Sequence, residues 1–106
     1  MHVVGVRKEL LASHRGLART LCDAFDAAKR LALDELAVTQ APKVTLPWVT
    51  AELAATRAAL GEDFWPYGIA KNRRSLEMQL RYSFEEGLTD RLLRIEDVFV
   101  PECLDL

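Results

Sequence analysis

This sequence is poor in the residues from which most recognisable chemical sites are built. It holds two histidines and two cysteines in 106 residues. Cys22 and Cys103 are far apart with no C-x-x-C, and His2 and His14 do not join them in any ligand spacing, so a metal site is not expected. Basic residues are not in excess: 14 Lys and Arg stand against 16 Asp and Glu, for a net charge of −2 and a pI near 5.7. The signs are interspersed, which excludes the electrostatic footprint of a nucleic-acid binder. The tightest basic cluster, Lys71-Asn72-Arg73-Arg74, is short and reads as a solvated helix face. No apolar run approaches the roughly 18 residues of a membrane span, so no membrane partner is expected. The start lacks the charged, apolar and small-residue order of a signal peptide, and a cytoplasmic location is the expectation. There are no repeats and no low-complexity segments.

What is present fits a globular chain. Half the residues are hydrophobic and 28% are charged, in a length that suits one domain or part of one. His2-Val3-Val4-Gly5-Val6-Arg7 is a short β-branched run and reads as a strand over residues 2–7. A lone strand leaves its backbone donors and acceptors without partners. Its mate is therefore expected in a second copy, giving a homo-oligomer through the N-terminal strand, or in residues outside this chain.

The rest reads as helix. Leu17, Leu21, Phe25, Ala28, Ala32 and Leu36 recur at helical spacing, with Ser13 as N-cap, and predict a first helix over about 14–38. Leu46, Val49, Leu53 and Leu60 mark a second over about 46–60, with Pro47 in its first turn and Gly61 as its stop. Ile69, Leu76, Leu80 and Phe84 mark a third over about 67–86, closed by Gly87. A short helical turn and a tail occupy 92–106. The fold class expected is mainly α, three helices with one N-terminal β-strand.

Between the second and third helices lies Asp63-Phe64-Trp65-Pro66-Tyr67-Gly68, with three of the chain's eight aromatic residues in four positions. These rings suit the wall of a ligand pocket. The more economical reading, and the one preferred, is a hydrophobic clamp in which Trp48 and Trp65 pack together and lock the two helices, since a large ring buries about 150–250 Å².

Several motifs in order carry a resemblance. Leu46-Pro47-Trp48, Asp63 to Gly68, Asn72-Arg73, Leu80-Arg81-Tyr82-Ser83 and Glu86-Gly87-Leu88 resemble the C-terminal region of 4,5-dihydroxyphthalate decarboxylases. Met1-His2-Val3-Val4, His14, Ala24-Phe25, Ala28-Lys29, Leu33 and the closing Glu96 to Glu102 follow the same pattern, so the resemblance runs over essentially the whole chain. It departs at His14-Arg15, where the family often shows His-Pro.

The resemblance implies proteins several times longer, with the two-lobed α/β fold of type II periplasmic binding proteins and a ligand held between the lobes. This chain would be the closing segment, after the return crossover between lobes, and its strand partners would lie upstream. The implied reaction removes one carboxylate from 4,5-dihydroxyphthalate to give protocatechuate and CO2, in bacterial phthalate breakdown. The substrate of the full-length protein would be an aromatic dicarboxylate. No cofactor is implied, and a chain without the first lobe is expected to be inactive alone.

Such a reaction needs cations for the carboxylates and an acid for the carbon that loses CO2. His2, at the start of the strand, is the candidate acid, because imidazole ordinarily titrates near neutrality. A strand-end residue with no role is the alternative. Arg73 is the candidate carboxylate ligand, and Trp65 and Tyr67 are the candidate ring contacts. Arg7, Arg74 and Arg81 are further cations, with Arg81 also placed to pair with Glu77 four residues earlier. His14 reads as a packing or capping residue. Two other functions fit the same residues: part of a solute-binding protein of the same fold, and a helical homo-oligomeric interaction module.

Overall fold

The structure, a computed structural model, describes residues 2–106. The described residues form helices and no strand. The helices are α1 (Lys8–Ser13), α2 (Leu17–Leu36), α3 (Val49–Leu60), α4 (Ile69–Glu85) and α5 (Ile95–Val98), followed by a 3-10 turn at Pro101–Cys103. The chain divides into two compact units, Met1–Asp23 with Tyr67–Leu106, and Ala24–Pro66.

The expected N-terminal β-strand is absent. Val3 and Val4 stand 67% and 66% exposed, and residues 2–7 lead into α1 without regular structure. β-Branched composition favours extended backbone, but a strand exists only against a partner, and no described residue provides one. Among the described residues the fold class is therefore helical, with no sheet, in place of the expected helices plus one N-terminal strand. Self-association through a paired N-terminal strand loses its basis for the same reason.

Helix begins earlier than the periodicity indicates, and then stops. Ser13 is the last residue of α1, and its hydroxyl donates to the Glu9 carbonyl at 2.6 Å instead of capping a following helix. His14 closes that helix, with Nδ1 3.2 Å from the Leu10 carbonyl. A carbonyl only accepts, so the proton is on Nδ1 in this contact. Gly16 then takes φ +78°, a conformation that side chains with a Cβ resist, and α2 starts at the next residue.

The first unit has the core. Ala18, Ile69, Leu76, Ile95 and Cys103 are buried, and Leu11, Cys22, Leu80, Phe99, Val100, Leu104 and Leu106 pack around them. Ile69, Leu76 and Leu80 form the inner stripe of α4, as their spacing requires, whereas Phe84 is 43% exposed. On α2 the inward positions are Ala18 and Cys22, one residue round from the Leu17–Leu21 row. The tail is tied back by Arg19, whose guanidinium meets Asp105 at 3.1 Å, and by the Ala70 N–H, which donates to the Leu106 carbonyl oxygen at 2.5 Å.

α5 is only four residues long and relies on Asp97. Its carboxylate accepts from the Arg94 backbone N–H at 2.9 Å, while the Asp97 N–H donates to the Arg94 carbonyl at 3.0 Å. These bonds, with the Arg94 guanidinium and nearby Arg91, hold the carboxyl at about 2, below its ordinary 3.8. A depressed carboxylate pKa stabilises the fold above the ordinary value, and that contribution is lost as pH falls through the native one. The α5 turn is thus expected to hold at pH 5 and to open between about pH 4 and 2. An NMR titration of the Arg94 amide checks this, and Asp97→Asn should remove the transition.

The second unit, Ala24–Pro66, has no buried residue. It contains the rest of α2, then α3. Lys29 is its main polar tie: the side chain is 11% exposed, and its ammonium lies 3.1 Å from Asp63, 3.3 Å from Asp26 and 3.4 Å from the Trp65 carbonyl. This clip, and not a ring-on-ring clamp, holds the aromatic segment. Trp48 and Trp65 are 72% and 61% exposed, so neither is wedged into a core. Trp65→Ala is accordingly expected to change the stability of this chain by less than about 0.5 kcal/mol, measured by urea denaturation.

Candidate arginine-lined groove

α4 and the segment entering α5 enclose an open groove of about 540 Å³. Leu80, Leu92 and Ile95 give it apolar lining, and its charged lining is mixed, with Arg73, Arg74, Arg81 and Arg94 beside Glu77 and Glu96. α4 sets this arrangement: residues 73 and 77 and then 81 follow one another at four-residue spacing, while Leu76 and Leu80 turn the inner stripe toward the core.

Three of the four cations are already engaged. Arg73 lies 3.5 Å from both Glu77 and Glu96, bridging α4 to α5. Arg81 meets Glu85 at 3.5 Å and stands 5.1 Å from the centroid of the Tyr82 ring, within cation–π range. Glu77 pairs with Arg73 and not with Arg81, the partner its sequence spacing suggested. Arg94 pairs with Asp97 at 3.3 Å. Arg74 makes no ion pair among the described residues and faces solvent. With Glu77 and Glu96 also in the lining, Arg74 is the groove cation left open to a carboxylate among the described residues.

The other sequence candidates are placed elsewhere. His2 is exposed ahead of α1 and makes no hydrogen bond or ion pair among the described residues. Tyr67 opens the returning part of the first unit, 43% exposed, and Trp65 lies one residue before the end of the second unit, 61% exposed. Only Arg73 of these candidates lines the groove. No group of three His, Cys, Asp or Glu side chains among the described residues forms a metal site. No described helix is long and apolar enough to cross a membrane.

Sequence reasoning missed three functional-looking contacts. Cys22 and Cys103 lie with their Sγ atoms 3.4 Å apart, although 81 positions separate them. Burial and the neighbouring Cys22 push the Cys103 thiol up to about 11. Lys29 reaches Asp63 across 34 positions, and Arg19 reaches Asp105 across 86. Helical periodicity reports the face on which a residue sits and gives no signal for such distant partners.

Fold and groove together define a helical piece with an open groove of mixed charge and a modest core. The chain is 40% identical over 105 residues to the 4,5-dihydroxyphthalate decarboxylase of Comamonas testosteroni, a match that takes in 99% of this chain and 32% of that protein. The resemblance carried by the motifs thus holds along nearly the whole chain, and it is consistent with a C-terminal fragment of such a protein. The chain spans about a third of this relative's length. No family model matches it.

Proposed function

We propose that this chain supplies the C-terminal part of an aromatic acid decarboxylase that acts on 4,5-dihydroxyphthalate or a close analogue, and that it does not catalyse the reaction alone. The observation that carries this reading is the 40% identity over 99% of the chain. The thin core supports the second half of it. Among the described residues, five buried in one unit and none in the other leave large apolar side chains such as Trp48, Leu60 and Leu88 exposed, as expected where further protein covers them.

In the reaction, the bond between ring and carboxylate breaks, its electron pair stays on the ring carbon, and a proton replaces the departing CO2. The remaining carboxylate needs a cation throughout. Arg74 is the side chain here best suited to that task, because it has no competing ion pair among the described residues. Arg73 stands beside it but is shared between Glu77 and Glu96. His2 is the proposed proton donor, an exposed imidazole able to exchange a proton with substrate. Trp65 and Tyr67 offer exposed rings to substrate or to the rest of the protein.

A chimera tests the reading. This chain replaces the matched third of the Comamonas testosteroni protein, and CO2 release from 4,5-dihydroxyphthalate is measured. The expected result is turnover by the chimera and none by the isolated chain. A folded chimera without turnover overturns the assignment, and turnover by the isolated chain overturns the claim that it is incomplete.

A further inference from the structure

The distant cysteines form a pair that the decarboxylase reading does not use. Cys22 sits in α2 and Cys103 in the closing 3-10 turn, with Sγ atoms 3.4 Å apart. A disulfide bond is about 2 Å long, so closure requires the two sulfurs to approach by somewhat more than 1 Å. Cys22 is half-buried and Cys103 is buried in the core, which gives one thiol access to solvent and the other protection. The backbone around them is already aligned. Arg19, one turn before Cys22, holds Asp105, and the Gly16 N–H donates to the Glu102 carboxylate at 3.4 Å. No third ligand joins the pair among the described residues, which sets it apart from a metal site.

We propose that Cys22 and Cys103 are a redox-modification site, in which a hydroperoxide closes a disulfide that locks α2 to the C-terminal turn. The Cys22 thiolate attacks a peroxide oxygen, the O–O bond breaks, and Cys22 becomes a sulfenic acid as hydroxide leaves. Cys103 sulfur then attacks the Cys22 sulfur and displaces the oxygen as a second hydroxide. The two thiol protons neutralise both hydroxides. One hydrogen peroxide is thereby reduced to two waters while two thiols are oxidised to one disulfide, and a dithiol reductant reverses the change.

The test treats the full chain with hydrogen peroxide in slight excess, then denatures it, labels it with a maleimide and measures intact mass. The expected product carries no label, is lighter by two hydrogens, yields a Cys22–Cys103 cross-linked peptide, and regains both thiols with dithiothreitol. Its Tm should rise by several degrees, because the link restricts the unfolded chain. Cys22→Ser should leave Cys103 open to label after the same treatment. The proposal is overturned by persistent labelling of both thiols in the native sequence, by oxygen adducts or linked dimers in place of the internal bond, by loss of the Cys103 label in Cys22→Ser, or by a Tm that does not rise.

Discussion

Replacing Gly68 with alanine is expected to destabilise the first unit by at least about 1–3 kcal/mol, the cost of holding a residue with a Cβ in a region of backbone space reserved for glycine. Gly68 has φ +93° and ψ 162° immediately before α4. The added Cβ would also fall 2.6 Å from the Leu106 carbonyl carbon, which real Cβ atoms do not tolerate. The obstruction is backbone and not the far end of a flexible side chain, so the tail must move. That movement would break the bond from the Ala70 N–H to Leu106. Urea denaturation followed by circular dichroism measures the loss. A Gly68→Ala chain as stable as the original would contradict this account of the turn.

Ile95→Ala should have an effect at least as large. Ile95 is 2% exposed and is the largest fully buried side chain among the described residues. It joins α5 to the inner stripe of α4. Truncation of a buried isoleucine removes transfer free energy and leaves a cavity, together worth about 2–5 kcal/mol. Domains of this size are stable by only about 5–15 kcal/mol, and this core is small, so a substantial unfolded fraction is expected even without denaturant. Leu92→Ala is the control. At 52% exposure in the groove lining it should cost less than about 0.5 kcal/mol. Equal effects at the two positions would mean that the core does not centre on Ile95.

The residues that made α4 legible were those whose spacing coincides with burial: Ile69, Leu76 and Leu80 at helical intervals, with Gly87 beyond. Val3 and Val4 misled because β-branched composition signals a preference for extended backbone, whereas strand formation depends on a neighbour that no composition reports. Ser13 looked like a cap, but Gly16 interposes a positive φ and moves the helix start past it. Trp48 and Trp65 looked like a core pair, since large rings are usually buried; the burial they call for is not supplied by the unit that carries them. Of the site, Arg73 was readable from motif resemblance. Its bridge to Glu96, the freedom of Arg74 and the Cys22–Cys103 approach arise only when distant segments fold together.

The central claim is that the apolar side chains left open here are covered by the rest of a larger decarboxylase-like protein. Hydroxyl-radical footprinting with mass spectrometry addresses it residue by residue, comparing the isolated chain with the chimera. In the isolated chain Trp48, Trp65, Met78 and Tyr82 should all be oxidised readily, in keeping with exposures of 72%, 61%, 40% and 45%. In the chimera the two tryptophans should be protected several-fold while Ile95, already buried, stays unchanged. Equal oxidation of Trp48 and Trp65 in both proteins would contradict the account.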